Sequence, residues 1–140
     1  MFKIYLSGGM TGLSIEEQKR WRSDIKIAIS MYLENVITFF DPTEYDISYF
    51  INNTEDAERF SMNFDLRQLM ESDLVICNVS TNPFSVGTNI ELGAAHNMGI
   101  PIIIYNPDKK ELHPWHSGIS DLIATDMTAI AEIVHDFYIK

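Results

Sequence analysis

One carboxylate, Glu91, lies in the run Ser-Val-Gly-Thr-Asn-Ile-Glu-Leu-Gly-Ala-Ala at residues 85–95. The apolar run 74–79 before it predicts a buried strand, and residues 87–98 predict a helix that ends before Gly99. Glu91 is therefore expected in the first helical turn, where free N–H groups and the helix dipole favour an ionised carboxylate that can attack an electrophilic carbon. Acidic residues are also common in first turns for the dipole alone, so this segment leaves catalysis and helix stabilisation about equally open.

A second carboxylate, Asp65, stands eight residues before Asp73 on the helix that leads into the 74–79 strand. An aspartate on a helix is more often a solvated surface residue than a catalytic one. Asp65 is therefore a candidate only in combination with Glu91.

The four histidines show no metal-binding pattern. His113 and His116 are three residues apart, but Pro114 separates them and no nearby cysteine or carboxylate pair completes a zinc set; His96 and His135 are isolated. We therefore expect no metal and no cofactor. Trp115, between two of these histidines, suits packing or a subunit interface as well as a ligand.

Composition limits the class of protein. The 140 residues are expected to form one domain (1–140), and 46% hydrophobic residues are enough for a core. The net charge of −10 would repel polyanions, so a nucleic-acid polymer is an unfavourable ligand. The single cysteine, Cys77, allows no internal disulfide, and no apolar run is long enough for a signal peptide or a membrane span. These features predict a cytoplasmic protein.

Strand and helix patterns alternate along the chain. Strands are predicted at 2–6, 36–40, 74–79 and 100–105, and helices after a Ser14–Glu17 capping box and at 55–71, 87–98, 119–123 and 128–137. The first helix should bury Trp21, Ile25, Ala28, Ile29, Tyr32 and Leu33, and the second should turn Phe60, Phe64 and Leu69 inward. Continuous apolar strands alternating with helices predict a parallel sheet covered on both faces. Ligands of such sheets bind beyond the carboxyl ends of the strands, where the loops 7–12, 41–53, 80–87 and 106–117 should meet.

Four segments together resemble the nucleoside 2-deoxyribosyltransferase family. They are the Tyr-Leu-Ser-Gly start at residues 5–8, the Asp65 to Asp73 spacing, the Ser-x-Gly-x-x-x-Glu-Leu-Gly-x-Ala run around Glu91, and the Gly-Ile-Ser-Asp stretch at 118–121. The resemblance spans nearly the whole chain. It implies an α/β, flavodoxin-like, doubly wound three-layer sandwich with a parallel five-stranded sheet of order 2-1-3-4-5. It also implies a cytoplasmic homo-oligomer with shared active sites that acts in nucleoside salvage on deoxynucleosides and free nucleobases.

The resemblance assigns roles to particular residues. Glu91 would attack C1′ of a 2′-deoxynucleoside, Asp65 would protonate the leaving base, and Tyr5 would orient the nucleophile. The remaining matches are substrate-binding positions: Gly8, Ser85 and Gly87 at the sugar, Asp41 at the base, and His113 and Trp115 reaching a neighbouring subunit's pocket. The chemistry agrees, because an anionic carboxylate below C1′ stabilises an oxocarbenium-like transition state and can form a covalent glycosyl-enzyme.

Two other functions stay open. Transferases of the family commonly carry an acidic residue six positions before the nucleophile, whereas Ser85 here is similar to the serine of related 2′-deoxynucleoside 5′-monophosphate N-hydrolases. No Lys or Arg occurs between Tyr5 and Ile15 or between Ser72 and Tyr105, which favours a neutral nucleoside and the transferase. A non-catalytic nucleotide-sensing module is the third possibility, and the pairing of two carboxylates argues against it.

Overall fold

A computed structural model describes residues 1–10, 13–31, 37–80 and 85–139. The strands are β1 (Phe2–Gly8), β2 (Ile37–Phe40), β3 (Leu74–Asn78), β4 (Ile102–Tyr105) and β5 (Leu122–Ala124). The helices are α1 (Ile15–Ser30), α2 (Thr54–Met70), α3 (Val86–Asn97), α4 (Pro114–Gly118) and α5 (Met127–Ile133), with a π-helical turn over Val134–Tyr138 and two 3-10 turns at Pro42–Glu44 and Ile47–Tyr49. No helix within these described ranges is long and apolar enough to cross a membrane.

The five strands form one sheet in which every pairing is parallel and the order is β2-β1-β3-β4-β5. This confirms the predicted fold. Because side chains alternate along each strand, Ile4 and Leu6 pack on the face covered by α1 and α5, while Tyr5 and Cys77 pack on the face covered by α2 and α3. Tyr5 therefore points toward the helices that carry the two candidate carboxylates.

Local sequence signals explain where α1 begins. Ser14 is its N-cap and accepts a hydrogen bond from the Glu17 N–H. The Glu17 side chain in turn accepts a hydrogen bond from the Ser14 N–H, as the capping box predicted. Trp21 and Ile25 lie buried on the face that meets the sheet.

The C-terminal third differs from the sequence prediction in one element. In place of a helix at 119–123, the chain forms α4 before this segment and then the edge strand β5, which pairs with β4. The Asp121 N–H donates to the Ile102 carbonyl and the Asn106 N–H to the Ala124 carbonyl, which fixes this edge. A strand of three residues is too short to show alternation, so its pattern could not be told from a helical turn.

Smaller differences concern single residues. Phe60 is 43% exposed, so of the three side chains expected to turn inward from α2 only Leu69 is fully buried and Phe64 is partly so. The predictions that involve Thr11, Gly12, Tyr32, Leu33 and Val36 lie outside the described residues.

Candidate active site

Glu91 lies in the second turn of α3, not in the first turn as the sequence predicted. The Ser85 hydroxyl caps the helix by accepting a hydrogen bond from the Thr88 N–H at 3.3 Å, so the helix begins at Val86 and its first turn holds no acidic residue. Because the field of a helix terminus falls off within the first turn, the dipole is a weak influence on Glu91. Other groups must hold this carboxylate in place.

Two hydroxyl groups of β1 hold it. The Tyr5 phenol donates a hydrogen bond to Oε2 of Glu91, and the Ser7 hydroxyl donates to Oε1 at 3.2 Å. Burial raises the pKa of Glu91 to about 7; the hydrogen bonds from Tyr5 and Ser7 oppose this shift and the nearby charge of Asp65 adds to it. Burial also raises the pKa of the Tyr5 phenol well above its ordinary value, so this group stays a neutral donor.

Asp65 lies on α2, partly buried, at the edge of a cleft of about 770 Å³ that we call the Asp65 cleft. Burial raises the pKa of Asp65 to about 6, and the positive charge of Arg22 opposes the shift. The cleft volume is in the range that holds small organic ligands. A carboxyl group whose pKa is raised toward neutrality can act there as a general acid.

A wall of aromatic rings leads from the nucleophile into this cleft. Tyr5 stacks on Phe40 at 5.3 Å between ring centroids, Phe40 stacks on Tyr45 at 5.1 Å, and Phe64 contacts both Phe40 and Phe60. Tyr45, Phe60 and Phe64 also line the Asp65 cleft. Flat apolar faces beside a proton donor are suited to a heterocyclic base. We call Phe40, Tyr45, Phe60 and Phe64 the aromatic wall.

Arg22 was missed by the sequence analysis. Its side chain is fully buried, and the guanidinium donates hydrogen bonds to the carbonyls of Leu6, Gly8 and Gln18. Its Nε lies 3.5 Å from Oδ1 of Asp41. The hydrogen bonds to Leu6 and Gly8 join α1 to the carboxyl end of β1, and the ion pair joins α1 to the residue that follows β2. The sequence gives no sign of this burial, because an arginine in an amphipathic helix ordinarily keeps its charged group in water.

Asp41, expected to recognise the base, lies beneath the loop that follows β2. It is 3% exposed and does not line the Asp65 cleft. Its carboxylate accepts hydrogen bonds from the Thr43 N–H and hydroxyl and from Lys26 Nζ at 2.9 Å, in addition to the ion pair with Arg22. Burial alone would raise the pKa of Asp41, but these hydrogen bonds hold it below its ordinary value. The structure therefore gives Asp41 partners within the chain.

The two glycines of the predicted site have different surroundings. A Cβ on Gly8 would come within 3.0 Å of the Trp21 ring and 3.4 Å of the Asn78 carbonyl, so close packing at the end of β1 favours glycine there. A Cβ on Gly87 would meet no described atom within 4 Å. Gly87 is exposed in the first turn of α3.

His113 and Trp115 lie in a different cleft of about 800 Å³, the Trp115 cleft, which shares no lining residue with the Asp65 cleft. Trp115 is 80% exposed, and Leu92 and His96 of α3 form part of the cleft lining. The structure of one chain therefore places Glu91 in contact with Tyr5 and within electrostatic reach of Asp65, although Glu91 does not itself line the Asp65 cleft. It leaves His113 and Trp115 apart from that cleft. No cluster of potential metal ligands occurs in the described part of the chain.

Comparisons with known proteins identify the family and the fold. The family model described as nucleoside 2-deoxyribosyltransferase matches residues 4–136. Among curated proteins, none is similar enough in sequence to count as a relative.

Three solved structures are similar in fold. A 2-deoxyribosyltransferase from Bacillus psychrosaccharolyticus superposes with a TM-score of 0.77 at 20% identity, over 92% of this chain and 90% of that one. A conserved protein from Enterococcus faecalis V583 gives 0.72 at 17% identity, over 96% and 98%. The CMP N-glycosidase BcmB of Clostridium botulinum gives 0.58 at 20% identity, over 95% and 97%. Since the family model spans nearly the entire sequence, the chain belongs to the nucleoside 2-deoxyribosyltransferase family.

Proposed function

We propose that this chain is a nucleoside 2-deoxyribosyltransferase that cleaves the N-glycosidic bond of a 2′-deoxynucleoside and transfers the deoxyribose to an acceptor base. The observation that supports this most strongly is the pairing of Glu91 and Asp65. One carboxylate is held by two hydroxyl donors, and the other lines an aromatic cleft. The pKa values of both are raised, Asp65 to about 6 and Glu91 to about 7, so the surroundings and not the pKa values distinguish the two roles. Two carboxyl groups in different environments are the requirement for nucleophile and general acid in glycosyl transfer.

The reaction proceeds in two displacements at C1′. The Glu91 carboxylate forms a bond to C1′ while the bond to the base breaks, and protonated Asp65 gives its proton to the departing base nitrogen. An acceptor base then attacks C1′ from the side that the first base left, the bond to Glu91 breaks, and Asp65 takes up the proton that the acceptor loses. Two inversions restore the original anomeric configuration.

The cleft also supports a neutral substrate. The aromatic wall offers stacking surfaces for the base, and the net charge of −10 gives no general attraction for an anion. By resemblance to the family, we expect the sugar to lie toward Ser85 and Gly87 at the start of α3. No resident cofactor enters this reaction.

One observation favours a second candidate, a 2′-deoxynucleoside 5′-monophosphate N-hydrolase. The Ser85 hydroxyl already accepts from the Thr88 N–H, so its own hydrogen remains to be donated at a helix N-terminus, where anions are favoured. Lys19, which lines the Asp65 cleft, could add a positive charge. In this reaction water instead of a base would attack the glycosyl-enzyme.

The test is incubation with deoxynucleosides or their 5′-monophosphates, with and without a free acceptor base, followed by chromatography of the products. The transferase forms a new nucleoside of unchanged anomeric configuration when the acceptor is present. Glu91→Ala should abolish turnover, whereas Glu132→Gln, an exposed carboxylate on α5 across the sheet, should leave it unchanged. A folded Glu91→Ala protein with a near wild-type rate would disprove the mechanism.

Substitutions of Ser85 separate the two reactions. If the substrate is a monophosphate, Ser85→Ala should raise KM for nucleotides far more than for nucleosides, and Ser85→Asp should repel the nucleotide while sparing the nucleoside. Strong hydrolysis of a deoxynucleoside monophosphate with no exchange product at millimolar free base would replace the transferase with the hydrolase.

A further inference from the structure

Ser7 is the second of two β1 side chains that reach Glu91. Tyr5 and Ser7 are two residues apart, so both point to the α2 and α3 face of the sheet, and both are fully buried. They bind different oxygens, with Tyr5 on Oε2 and Ser7 on Oε1 at 3.2 Å. A carboxylate held at both oxygens by one strand cannot turn about its last side-chain bond without losing a hydrogen bond.

The direction of the Ser7 hydrogen bond follows from its partner. An ionised carboxylate has no hydrogen to donate, so the Ser7 hydroxyl is the donor and Oε1 of Glu91 is the acceptor. Ser7 also pairs in register with Cys77 of β3, where burial raises the pKa of the thiol to about 12 and keeps it protonated. A protonated thiol is a weak acceptor, so the single hydrogen of Ser7 is directed at the Glu91 carboxylate.

We propose that Ser7 is a positioning residue that fixes the rotation of the Glu91 carboxylate and stabilises its anion, acting together with Tyr5. The kinetic part of this inference rests on the proposed function. The structural part does not, because it concerns the ionisation of Glu91 in the free protein.

The charged and titratable groups around Glu91 come from four elements. Tyr5 belongs to β1, Cys77 to β3, Arg22 to α1 and Asp65 to α2. Asp65 disfavours the Glu91 anion, and the positive Arg22 favours it although Arg22 is already bound to three carbonyl groups. Removing the Ser7 hydroxyl therefore takes away one of the two neutral donors that oppose burial and Asp65.

The direct test is a titration that needs no substrate. The protein is labelled with ¹³C at the glutamate side-chain carboxyls, the Glu91 signal is assigned by its loss in Glu91→Gln, and its midpoint is measured in each variant. In Ser7→Ala we expect the midpoint to rise by about 0.5 to 1 pH unit, since one hydrogen bond to the anion is lost. An unchanged midpoint in folded Ser7→Ala would overturn the proposal.

Two further variants control for packing. Cys77→Ala changes the buried neighbour of Ser7 without removing a donor to Glu91, so its midpoint should stay within about 0.2 unit of the wild type. Ser7→Thr keeps the hydroxyl and should restore most of the shift; if the added methyl group prevents folding, Ser7→Cys, a weaker donor, should titrate between wild type and Ser7→Ala. A midpoint in Cys77→Ala as high as in Ser7→Ala would mean that packing, not the hydroxyl, sets the ionisation of Glu91.

The kinetic test follows the same variants. Ser7→Ala should lower kcat about tenfold with little change in KM. Because the pKa of Glu91 lies above that of Asp65, this variant should also move the alkaline limb of kcat/KM to higher pH, whereas Ser7→Thr should return the profile toward wild type. A rise in KM alone, with kcat and the alkaline limb unchanged, would contradict the positioning role. If the chain lacks transferase activity altogether, the ¹³C titration still decides the assignment of Ser7.

Discussion

The negative charge of Asp65 on α2 raises the pKa of Glu91 on α3. Burial raises the pKa of Asp65 to about 6 and the pKa of Glu91 to about 7. Between these two pH values the two carboxyl groups together hold about one proton. The proposed reaction needs that single proton on Asp65 and the negative charge on Glu91. Because the pKa of Glu91 is the higher of the two, the free chain holds this proton mostly on Glu91, so the productive form is the less populated of the two ways of placing one shared proton.

This relationship predicts a bell-shaped pH dependence of kcat/KM with its maximum between pH values of about 6 and 7. Protonation of both groups removes the nucleophile at low pH, and loss of both protons removes the acid at high pH. Asp65→Asn should remove the alkaline limb and lower kcat by about 10² to 10⁴. An alkaline limb that persists in Asp65→Asn would assign the acid to another group.

The raised pKa of Glu91 also predicts a stability effect. The folded chain binds this proton more tightly than the unfolded chain, so the contribution is complete below the ordinary pKa of 4.5 and is lost as pH rises through about 7. Glu91→Gln should therefore be more stable than the wild type at pH 8, by about 1 to 3 kcal/mol, with little difference near pH 4.5. Urea unfolding at the two pH values measures this, with Glu132→Gln as the control that should show neither change.

Asp41 offers a prediction that separates a structural role from base recognition. Asp41→Ala leaves the fully buried Arg22 without its carboxylate and should reduce the free energy of unfolding by about 3 to 5 kcal/mol. The KM values for different bases should all change by the same factor or stay the same, because a structural residue does not discriminate between bases. A stable Asp41→Ala protein with altered base preference would instead assign Asp41 to base recognition.

Trp115 bears on the assembly that the family resemblance implies. Its ring is 80% exposed and stands in a cleft separate from Asp65, so we expect it to complete the site of a neighbouring copy. Glu91→Ala and Trp115→Ala should each be inactive alone, yet random pairing in a two-fold dimer restores about one quarter of the sites. A fully active monomer in sedimentation at working concentration would refute shared sites.

The parts of the fold that the sequence predicted are those with strong local patterns. The unbroken apolar run at the start of β3 and the Ser14 capping box predicted a parallel strand and a helix start correctly. α3 begins at Val86, one residue earlier than predicted, because Ser85 and not a glycine provides its N-cap. β5 was missed because only pairing with β4 makes its three residues a strand.

The residues of the candidate site could be predicted only in part. The pattern around residues 85–95 predicted Glu91 as a candidate and Asp65 as a possible second carboxylate, and the resemblance added Tyr5 and a role for each. β-Strand alternation from Tyr5 would have pointed to Ser7. Arg22 could not be found in this way, because its partners are backbone carbonyls brought close by the packing of α1 on β1. The separation of Trp115 from Asp65 likewise depends on tertiary structure.

The aromatic wall and the nucleophile belong to different parts of the architecture. Glu91 is held by two side chains of a central strand, whereas Tyr45 lies in the loop after the edge strand β2 and is 55% exposed. Phe60 is likewise on the exposed side of α2. The loop and the outer face of α2 can therefore accumulate substitutions that reshape base preference while the central strand keeps the glycosyl chemistry. Such a division makes this chain a convenient starting point for laboratory evolution toward modified bases.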